Sequence, residues 1–315
     1  MVLLLQYTLI FASVLLLVAL GGCFAERSGV INIGLEGIMC IGALGGALVM
    51  KFMPVTMGAP VIVICTILAA ALFGLVFSLT LAVAAINFKA DQTITGTAMN
   101  MLATAGATVA VKAMNTAASG GNDVSSDIAY THTKDLFIVR IGDTFEFNWF
   151  MLIAAVCLIV SFVVLYKTRF GLRLRACGEH PQAADSVGIN VYKMRYAGVI
   201  ISGILGGLGG IVYITSGVSE WKFENGVAGF GFLALAVMIF GQWKPVNIAL
   251  AALLFGLMRA LSNVYVAFDF LAGLPIPGTV YNMLPYIISL VVLIFTSKKS
   301  RAPKAEGIPY DKGSR

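Results

Sequence analysis

Residues Pro60–Ile86 read PVIVICTILAAALFGLVFSLTLAVAAI, a run that contains no charged side chain. A bilayer core of about 30 Å is crossed by about 20 helical residues, so this run is long enough to span it. It is too long, and too uniformly apolar, to be a transmembrane β-strand. The rest of the chain is similar: 59% of its 315 residues are hydrophobic and 11% are charged, against about 45–50% and about 25% in soluble domains. The sequence therefore predicts an all-α polytopic membrane protein.

Working outward from this run, nine segments are predicted to span the membrane, within a range of eight to ten because some ends are uncertain. They are Val2–Leu20, Ile31–Met50, Pro60–Ile86, Thr93–Met114, Trp149–Tyr166, Met194–Ser216, Val227–Gly241, Val246–Val266 and Met283–Thr296. The stretches Asn32–Glu36 and Gly273–Pro277 are candidates for broken or re-entrant backbone.

The basic residues predict the orientation of these spans. If the loop 167–193 is cytoplasmic, alternation also places Arg27, Lys89, Lys244 and the basic tail 298–315 on the same side. Fifteen of the 21 Lys and Arg residues then lie in the cytoplasm, as the positive-inside rule requires. The N-terminus is therefore predicted outside and the C-terminus inside, with an outer loop at 115–148.

Several functional classes are excluded or disfavoured by composition. The net charge of +6 comes mostly from short loops between spans, so it indicates orientation and not a nucleic-acid surface. The five cysteines include no CxxC pair, and the two histidines are isolated, which disfavours a disulfide framework or a metal site. The chain contains no Gly-Lys dipeptide and hence no P-loop. We expect no cofactor and no nucleotide on this chain.

Two segments resemble each other within the chain. Pro60-Val61 leads to the sequence AALFGL at 70–75, and Pro245-Val246 leads to ALLFGL at 252–257. The predicted topology runs these helices in opposite directions, as in an inverted repeat of a transporter. Chance recurrence of Ala, Leu, Phe and Gly in an apolar chain is the alternative.

The loop 167–193 contains a short helix signal. Pro181 suits the first turn of a helix and Gly188 suits its C-terminal end. The segment Pro181–Val187 is therefore predicted to be a two-turn helix at the membrane surface. From pattern alone, an amphipathic loop helix seated on anionic lipid would explain it.

The residues around that helix resemble the coupling loop of ATP-binding-cassette (ABC) importer permeases of the branched-chain amino acid, ribose and nucleoside superfamily. The matching elements are GLRLRA at 171–176, Gly178-Glu179, Pro181, Ala183-Ala184, Gly188-Ile189 and the small residues Ser202-Gly203 and Gly206-Gly207. A second match, ERSGVINIGLEGIM at 26–39, is similar to the nucleoside and simple-sugar branch, and GFGFLALAV at 229–237 is a third.

The resemblance implies a single permease domain over 1–297 that docks a separate ATPase through Pro181–Val187. The residues implied in coupling are Arg175, Gly178, Glu179, Pro181, Ala183, Ala184, Asp185 and Gly188. Ala183 and Ala184 would allow close approach to the ATPase, and Glu179 or Asp185 could pair with its basic residues. Arg173 and Arg175 could equally bind lipid headgroups. The implied partners are ATPase subunits that use ATP, a second related permease, an extracytoplasmic substrate-binding lipoprotein and the bilayer, with no nucleic acid.

Polar residues inside the spans predict the substrate path. Glu36 lies four residues after Asn32, on the same helical face, and a carboxylate there must avoid lipid. Hydrogen bonding within the bundle, with Arg27 as a partner for Glu36, is the alternative to ligand contact. The fourth span carries several polar side chains, including Thr93, Thr97 and Asn100. They suit either a water-filled substrate path or hydrogen bonds between helices.

The predicted function is a permease subunit of an ABC importer for nucleosides in the bacterial cytoplasmic membrane, with no enzymatic activity of its own. A simple sugar or a riboflavin-like ring compound is the alternative substrate. An ion-coupled secondary transporter with a relay between Glu36 and Arg259 is the alternative from another class. Arg259 falls within the eighth predicted span, and the sequence assigns it no further role.

Overall fold

The structure, a computed structural model, describes residues 2–130, 135–141, 145–216, 220–268, 277, 280–281, 283–288, 290 and 301–313. Within these ranges the chain forms ten α-helices and four short strands. The helices are α1 (Val2–Arg27), α2 (Leu35–Phe52), α3 (Ala59–Ala82), α4 (Gln92–Ala118), α5 (Trp149–Lys167), α6 (Arg169–Glu179), α7 (Pro181–Ser186), α8 (Val191–Thr215), α9 (Phe230–Phe240) and α10 (Pro245–Val264).

Eight helical segments of the described residues are long and apolar enough to cross a membrane. They correspond to the first eight predicted spans, and a π-helical turn at Val83–Asn87 extends α3. Of the ninth predicted span, Met283–Thr296, residues 283–288 are helical, and most of the rest lies outside the described residues. The predicted break at Gly273–Pro277 also lies outside them, except for Pro277.

Two spans begin later than the sequence predicts. The second begins at Leu35 and not at Ile31, because Ser28–Gly34 is non-helical, and α9 begins at Phe230 and not at Val227. Positive φ angles at Gly29 (95°) and Gly229 (80°) interrupt the helical path ahead of each start. The break expected around Asn32–Glu36 is thus present, and α9 has a similar one.

Helices α1 and α8 lie at the centre of the bundle, since nearly all their middle residues are buried. Helix α3 packs against α8 at Gly74, where an added Cβ would lie 2.3 Å from the Gly203 carbonyl oxygen. Helix α10 packs against α1 at Gly256, where an added Cβ would lie 2.9 Å from the Thr8 carbonyl oxygen. Each of the two matched sequences therefore places a glycine at a close contact with one of the two central helices.

The ends of the helices form two polar faces. On the face assigned to the cytoplasm, Arg27 pairs with Glu179 at 3.7 Å and Lys89 with Asp311 at 3.2 Å. On the opposite face, Lys112 pairs with Glu224 at 2.6 Å. That outer face also carries two small antiparallel sheets, β1 (Asp127–Ala129) with β4 (Glu220–Lys222) and β2 (Ile138–Ile141) with β3 (Phe145–Asn148). Strands of three or four residues leave no readable periodicity, so the sequence did not predict them.

Candidate translocation site and cytoplasmic docking surface

Side chains form hydrogen bonds with the backbone in and next to the non-helical stretch between α1 and α2, here called the broken segment Ser28–Gly34. The Gln92 side-chain oxygen accepts a hydrogen bond from the Ile31 N–H at 2.7 Å. The Asn100 Oδ1 atom accepts from the Gly37 N–H at 2.8 Å, and its amide group donates to the Ile33 carbonyl at 3.0 Å. Non-helical backbone at membrane depth requires such partners because lipid offers none.

Asn32, the first residue predicted for the substrate path, is fully buried and donates to the Ser202 hydroxyl at 2.8 Å. It therefore ties the broken segment to α8. Asn32 and Asn100 thus both hold this segment in place, so the structure gives each a structural contact in addition to the predicted ligand role.

Glu36 links the two broken helices. One carboxylate oxygen accepts the Gly229 N–H at 2.8 Å, and the other accepts the Gly231 N–H at 2.6 Å. The carboxylate therefore caps the first turn of α9, where the helix dipole also favours a negative group. Glu36 hydrogen-bonds within the bundle as one interpretation held, but the Arg27 partner was wrong: Arg27 lies beside Glu179 and the Trp243 carbonyl.

The start of α9 lies deep in the membrane. The helix ends at Phe240, close to Trp243, whose carbonyl accepts from Arg27 on the cytoplasmic face. Its 11 residues correspond to about 16 Å, roughly half of a bilayer core of about 30 Å. The start of α9, and the Glu36 carboxylate that caps it, therefore lie about 16 Å along the helix axis from the Phe240 end.

A cavity of about 730 Å³ opens beside this carboxylate. Most of its wall comes from α4, and Phe232 and Glu224 contribute from the other side; the lining residues are Glu36, Thr97, Asn100, Met101, Thr104, Ala105, Thr108, Val109, Glu224 and Phe232. Three residues predicted for the substrate path, Glu36, Thr97 and Asn100, are therefore brought together. Thr93 is exposed one helical turn away and Asn32 is buried behind the site, and neither is among the lining residues.

The threonines of the cavity present acceptors. The Thr97 hydroxyl donates to the Thr93 carbonyl at 2.9 Å, and the Thr108 hydroxyl donates to the Thr104 carbonyl at 2.7 Å. Because each proton is bound to the helix backbone, the oxygen lone pairs remain for a ligand. The wall is otherwise mainly apolar, and these threonine oxygens and the Glu36 carboxylate are its few acceptors, which suits a ligand with an apolar face and a small number of O–H or N–H donors.

Arg259 lies near the same helix start. Its guanidinium group is 5.4 Å from the Phe230 ring centroid, a cation–π distance, and it neighbours the Tyr213 hydroxyl. Tyr213 and Phe230 have ring centroids 4.3 Å apart. Arg259 therefore packs on the residue that begins α9, while the Glu36 carboxylate binds amides of that helix.

On the cytoplasmic face, α6 and α7 form the predicted docking region. The short helix occupies Pro181–Ser186, one residue shorter than predicted. Pro181 and Ala184 are buried, whereas Gln182, Ala183 and Ser186 are exposed. Ala184 contacts Cys177, Val191 and Tyr310 of this chain, so its small size serves an internal contact and not the expected close approach to a partner.

The remaining residues predicted for coupling are also distributed between inward and outward contacts. Gly178 lies against the inner end of α1, where an added Cβ would be 2.3 Å from the Arg27 carbonyl oxygen. Glu179 pairs with Arg27, and Asp185 is hydrogen-bonded to Tyr310. The Arg175 guanidinium lies 4.8 Å from the Tyr166 ring centroid. Gly188 is exposed and has a φ of 83°, as expected where the helix ends.

Several residues at these sites escaped the sequence interpretation. Gln92 and Phe232 have no distinctive spacing, and their roles arise from helix neighbours far away in the chain. Residues 303–311 were interpreted only as part of a basic tail, although Tyr310 is 4% exposed and Ala305 is 5% exposed. The apolar residues of this tail, Ile308 and Tyr310 above all, were the available signal.

Comparison with known proteins identifies the family. Residues 4–297 match the family described as branched-chain amino acid transport system / permease component. The chain is 42% identical over 311 residues to the guanosine ABC transporter permease protein NupQ of Bacillus subtilis, covering 98% of this chain and 96% of that one. It is 39% identical over 308 residues to the nucleoside ABC transporter permease protein NupC of Lactococcus lactis, covering 96% and 95%.

A third relative is the putative glucose ABC transporter permease protein TsgC13 of Haloferax volcanii, 31% identical over 312 residues, with 93% and 91% of the two chains covered. No solved structure matches the chain. Together with the apolar helices, these matches make the chain a multi-pass protein of the bacterial inner membrane. It belongs to the permease family of the branched-chain amino acid transport systems.

Proposed function

We propose that this chain is the permease subunit of an ABC importer for nucleosides, and that a separate ATPase drives it. The main support is the cavity beside Glu36, whose mainly apolar wall carries a few acceptors, in a chain that is 42% identical to a guanosine permease. A nucleoside carries ribose hydroxyls and base N–H groups as donors and a flat ring. Thr97, Thr104 and the Glu36 carboxylate would accept from the donors, and Phe232, half exposed in the wall, would contact the ring.

The cavity is open along α4 in the single chain. Met101 is 72% exposed and Val109 is 66% exposed, which suits lipid or protein, but the same open wall carries Glu36, and a carboxylate is costly against lipid. We assign the cover of this wall to a second, related permease, so that the substrate path would run between the two chains. The lipid bilayer would surround the remaining apolar surface.

The ATPase would contact the outward side of α7, with Ala183 and Val187 at the centre. Val187 is 74% exposed although it is apolar, which suits a partner surface better than water. ATP binding and hydrolysis would occur on that partner, and this chain would bind no cofactor. A push on α7 would reach α8, which begins at Val191 and lies at the centre of the bundle.

An extracytoplasmic lipoprotein would deliver the substrate to the outer face. Carboxylates of that face are already used within the chain: Asp127 pairs with Lys222 at 3.8 Å and Glu224 with Lys112. Both are therefore less free to pair with such a partner.

Uptake tests the substrate. Membranes that contain this chain with its native ATPase, second permease and substrate-binding lipoprotein should accumulate radiolabelled guanosine in an ATP-dependent manner. Unlabelled nucleosides should compete, and glucose and riboflavin should not. Competition by glucose alone would favour the sugar alternative, and accumulation by this chain alone under an ion gradient would favour the secondary transporter.

Crosslinking tests the docking surface. Val187→Cys should crosslink to the ATPase, whereas Ala184→Cys, 4% exposed, should not. The nearby native thiol is a small background, because burial raises the pKa of Cys177 to about 11 and keeps it protonated at neutral pH. Crosslinking from position 184 without position 187 would contradict the proposed docking face.

A further inference from the structure

Residues 303–311, here called the C-terminal strap, lie across the cytoplasmic face and bond to three separate elements. The Ala305 N–H donates to the Gly178 carbonyl at the end of α6, at 2.8 Å. The Gly307 N–H donates to the Gly29 carbonyl in the broken segment, at 3.3 Å. The Arg195 guanidinium of α8 donates to the Ile308 carbonyl at 3.0 Å.

Side chains anchor the C-terminal end of the strap. Tyr310 is buried against Cys177, Ala184 and Val191, and its ring meets Tyr192 edge-on with centroids 5.3 Å apart. Asp311 pairs with Lys89, which follows α3, at 3.2 Å. The strap therefore touches the inward side of the docking helix α7 and several helix ends.

The strap also fits closely against the broken segment. A Cβ added at Gly29 would lie 3.4 Å or less from the Arg195 side chain and from the Ala305 carbonyl oxygen. A Cβ added at Gly307 would lie 3.4 Å or less from the Ile31 side chain. Glu306 and Glu26 are close enough to interact, and the indole of Trp243 donates to Glu26. A solvated tail that only neutralised lipid headgroups would need none of these contacts; its basic residues Lys304 and Lys312 are exposed.

We propose that the C-terminal strap is a positioning element that couples α7 to the broken segment Ser28–Gly34. That segment leads within two residues to Glu36, whose carboxylate caps α9 at the cavity. Displacement of α7 by an ATPase is thus passed by Tyr310 and Ala305 to Gly29, and from there to the start of α2 and to α9. This route runs beside the direct connection from α7 to α8, and it rests on the proposed function.

The test compares tail variants in the complete transporter, purified with its ATPase, supplied with the binding protein and reconstituted in proteoliposomes. Tyr310→Ala removes the anchor beside Ala184. We expect the ATPase to copurify and hydrolyse ATP as before, while guanosine taken up per ATP hydrolysed falls by about fivefold or more, the usual size of a coupling between two sites. Tyr310→Phe keeps the ring and should retain coupling, and Lys312→Ala, exposed in the same tail, should have no effect.

A second pair of variants tests the strap if the transporter that carries Tyr310→Ala does not assemble with its ATPase. Asp311→Lys should lower uptake per ATP, and the double variant Asp311→Lys with Lys89→Asp should restore it by re-forming the ion pair. A purely structural tail would change the amount of complex and leave the ratio unaltered. Unchanged ratios in Tyr310→Ala and Asp311→Lys would overturn the strap proposal. Failure of the wild-type complex to take up guanosine would instead overturn the proposed function.

Discussion

The cavity beside Glu36 and the assembly of α6, α7 and the C-terminal strap use polar groups in opposite ways. In the cavity, threonine hydroxyls bind backbone carbonyls of their own helix and leave acceptors facing an open space of about 730 Å³. In the cytoplasmic assembly, carbonyls and charged groups meet partners within the chain, as at Gly178 with Ala305 and at Glu179 with Arg27.

This difference corresponds to two tasks. Recognition requires spare hydrogen-bonding capacity in a space that a ligand can enter. Transmission of movement requires contacts without slack, because packed interfaces shift between discrete arrangements and do not deform continuously. Glu36 combines the two uses in one residue, since it lines the cavity and its carboxylate is also held by the first turn of α9. Changes at Glu36 should therefore have the largest effect.

Glu36→Ala should abolish uptake and destabilise the protein. It leaves the Gly229 and Gly231 N–H groups without their carboxylate acceptor inside the membrane, and each orphaned group costs about 1–3 kcal/mol. Thermal unfolding in detergent and guanosine uptake measure the two effects. Glu36→Gln keeps one acceptor and should be intermediate, and Glu224→Gln, at the same cavity but paired with Lys112, should be mild. Normal uptake by Glu36→Ala would show that transport does not need the carboxylate cap at the start of α9.

Gly178→Val should impair coupling next most severely. The new Cβ would lie 2.3 Å from the Arg27 carbonyl oxygen, so α6 must move away from α1, and overpacking of this kind costs about 1–3 kcal/mol. We expect ATP hydrolysis that no longer responds to substrate, measured as phosphate release with and without guanosine. Gly106→Ala is the matched control, because its added Cβ has no neighbour within 4 Å. If guanosine still stimulated ATP hydrolysis in Gly178→Val, close packing of α6 against α1 would not be required for coupling.

The sequence was sufficient for the spans because their signal is local. Runs such as Pro60–Ile86 contain their own evidence of membrane burial, and eight predicted spans have counterparts in the structure. The short helix after Pro181 was also predictable, since Pro181 and Gly188 mark its ends within one loop. Each of these inferences needed only neighbouring residues.

The contacts of the sites were less predictable because they join distant parts of the chain. Glu36 and Gly231 are 195 residues apart, and the Arg27 partner expected for Glu36 was chosen for its closeness in sequence. Ala184 was expected to face a partner, but a six-residue helix gives no reliable inward face until Tyr310 of the tail is placed beside it. Helix ends and cavities depend on which elements meet.

Thr97→Val tests substrate recognition by the cavity and should have a smaller effect than the changes at Glu36 and Gly178. It removes one acceptor without much change in volume, and a single hydrogen bond contributes about 0.5–1.5 kcal/mol, or roughly a two- to tenfold weaker apparent affinity. The concentration dependence of guanosine uptake measures it. Thr93→Val on the same helix is the control, since Thr93 does not line the cavity. Equal effects of both substitutions would indicate a longer polar path along α4, as first predicted.

The smallest expected effect is a dependence of strap docking on pH, and it tests the assembly of α6, α7 and the C-terminal strap. Burial raises the pKa of Glu306, while Glu26 and Arg27 of α1 act in the opposite direction. A released strap would return Glu306 to water and to its ordinary pKa, so the docked state binds more protons. Docking is then favoured at low pH and weakens as pH rises through the raised pKa. Amide hydrogen exchange at Ala305 and Gly307, corrected for intrinsic rate, should lose protection over that rise.

Glu306→Gln cannot ionise, so protection of the same two amides should become independent of pH, and it should match or exceed that of the wild-type protein at low pH. Asp311→Asn controls for the slope alone. The Gly313 N–H and the Lys89 ammonium group lower the pKa of the Asp311 carboxyl, so it remains charged across the range where Glu306 titrates. Because Asp311 also anchors the strap to Lys89, Asp311→Asn should reduce protection at every pH and leave its dependence on pH unchanged. Protection that rises with pH in the wild-type protein, or an unchanged slope in Glu306→Gln, would assign the titration to Glu26 or to a group outside the strap. The coupling ratio at the same pH values would then show whether looser docking also means less transport per ATP, as the strap's contacts with α7 and the broken segment require.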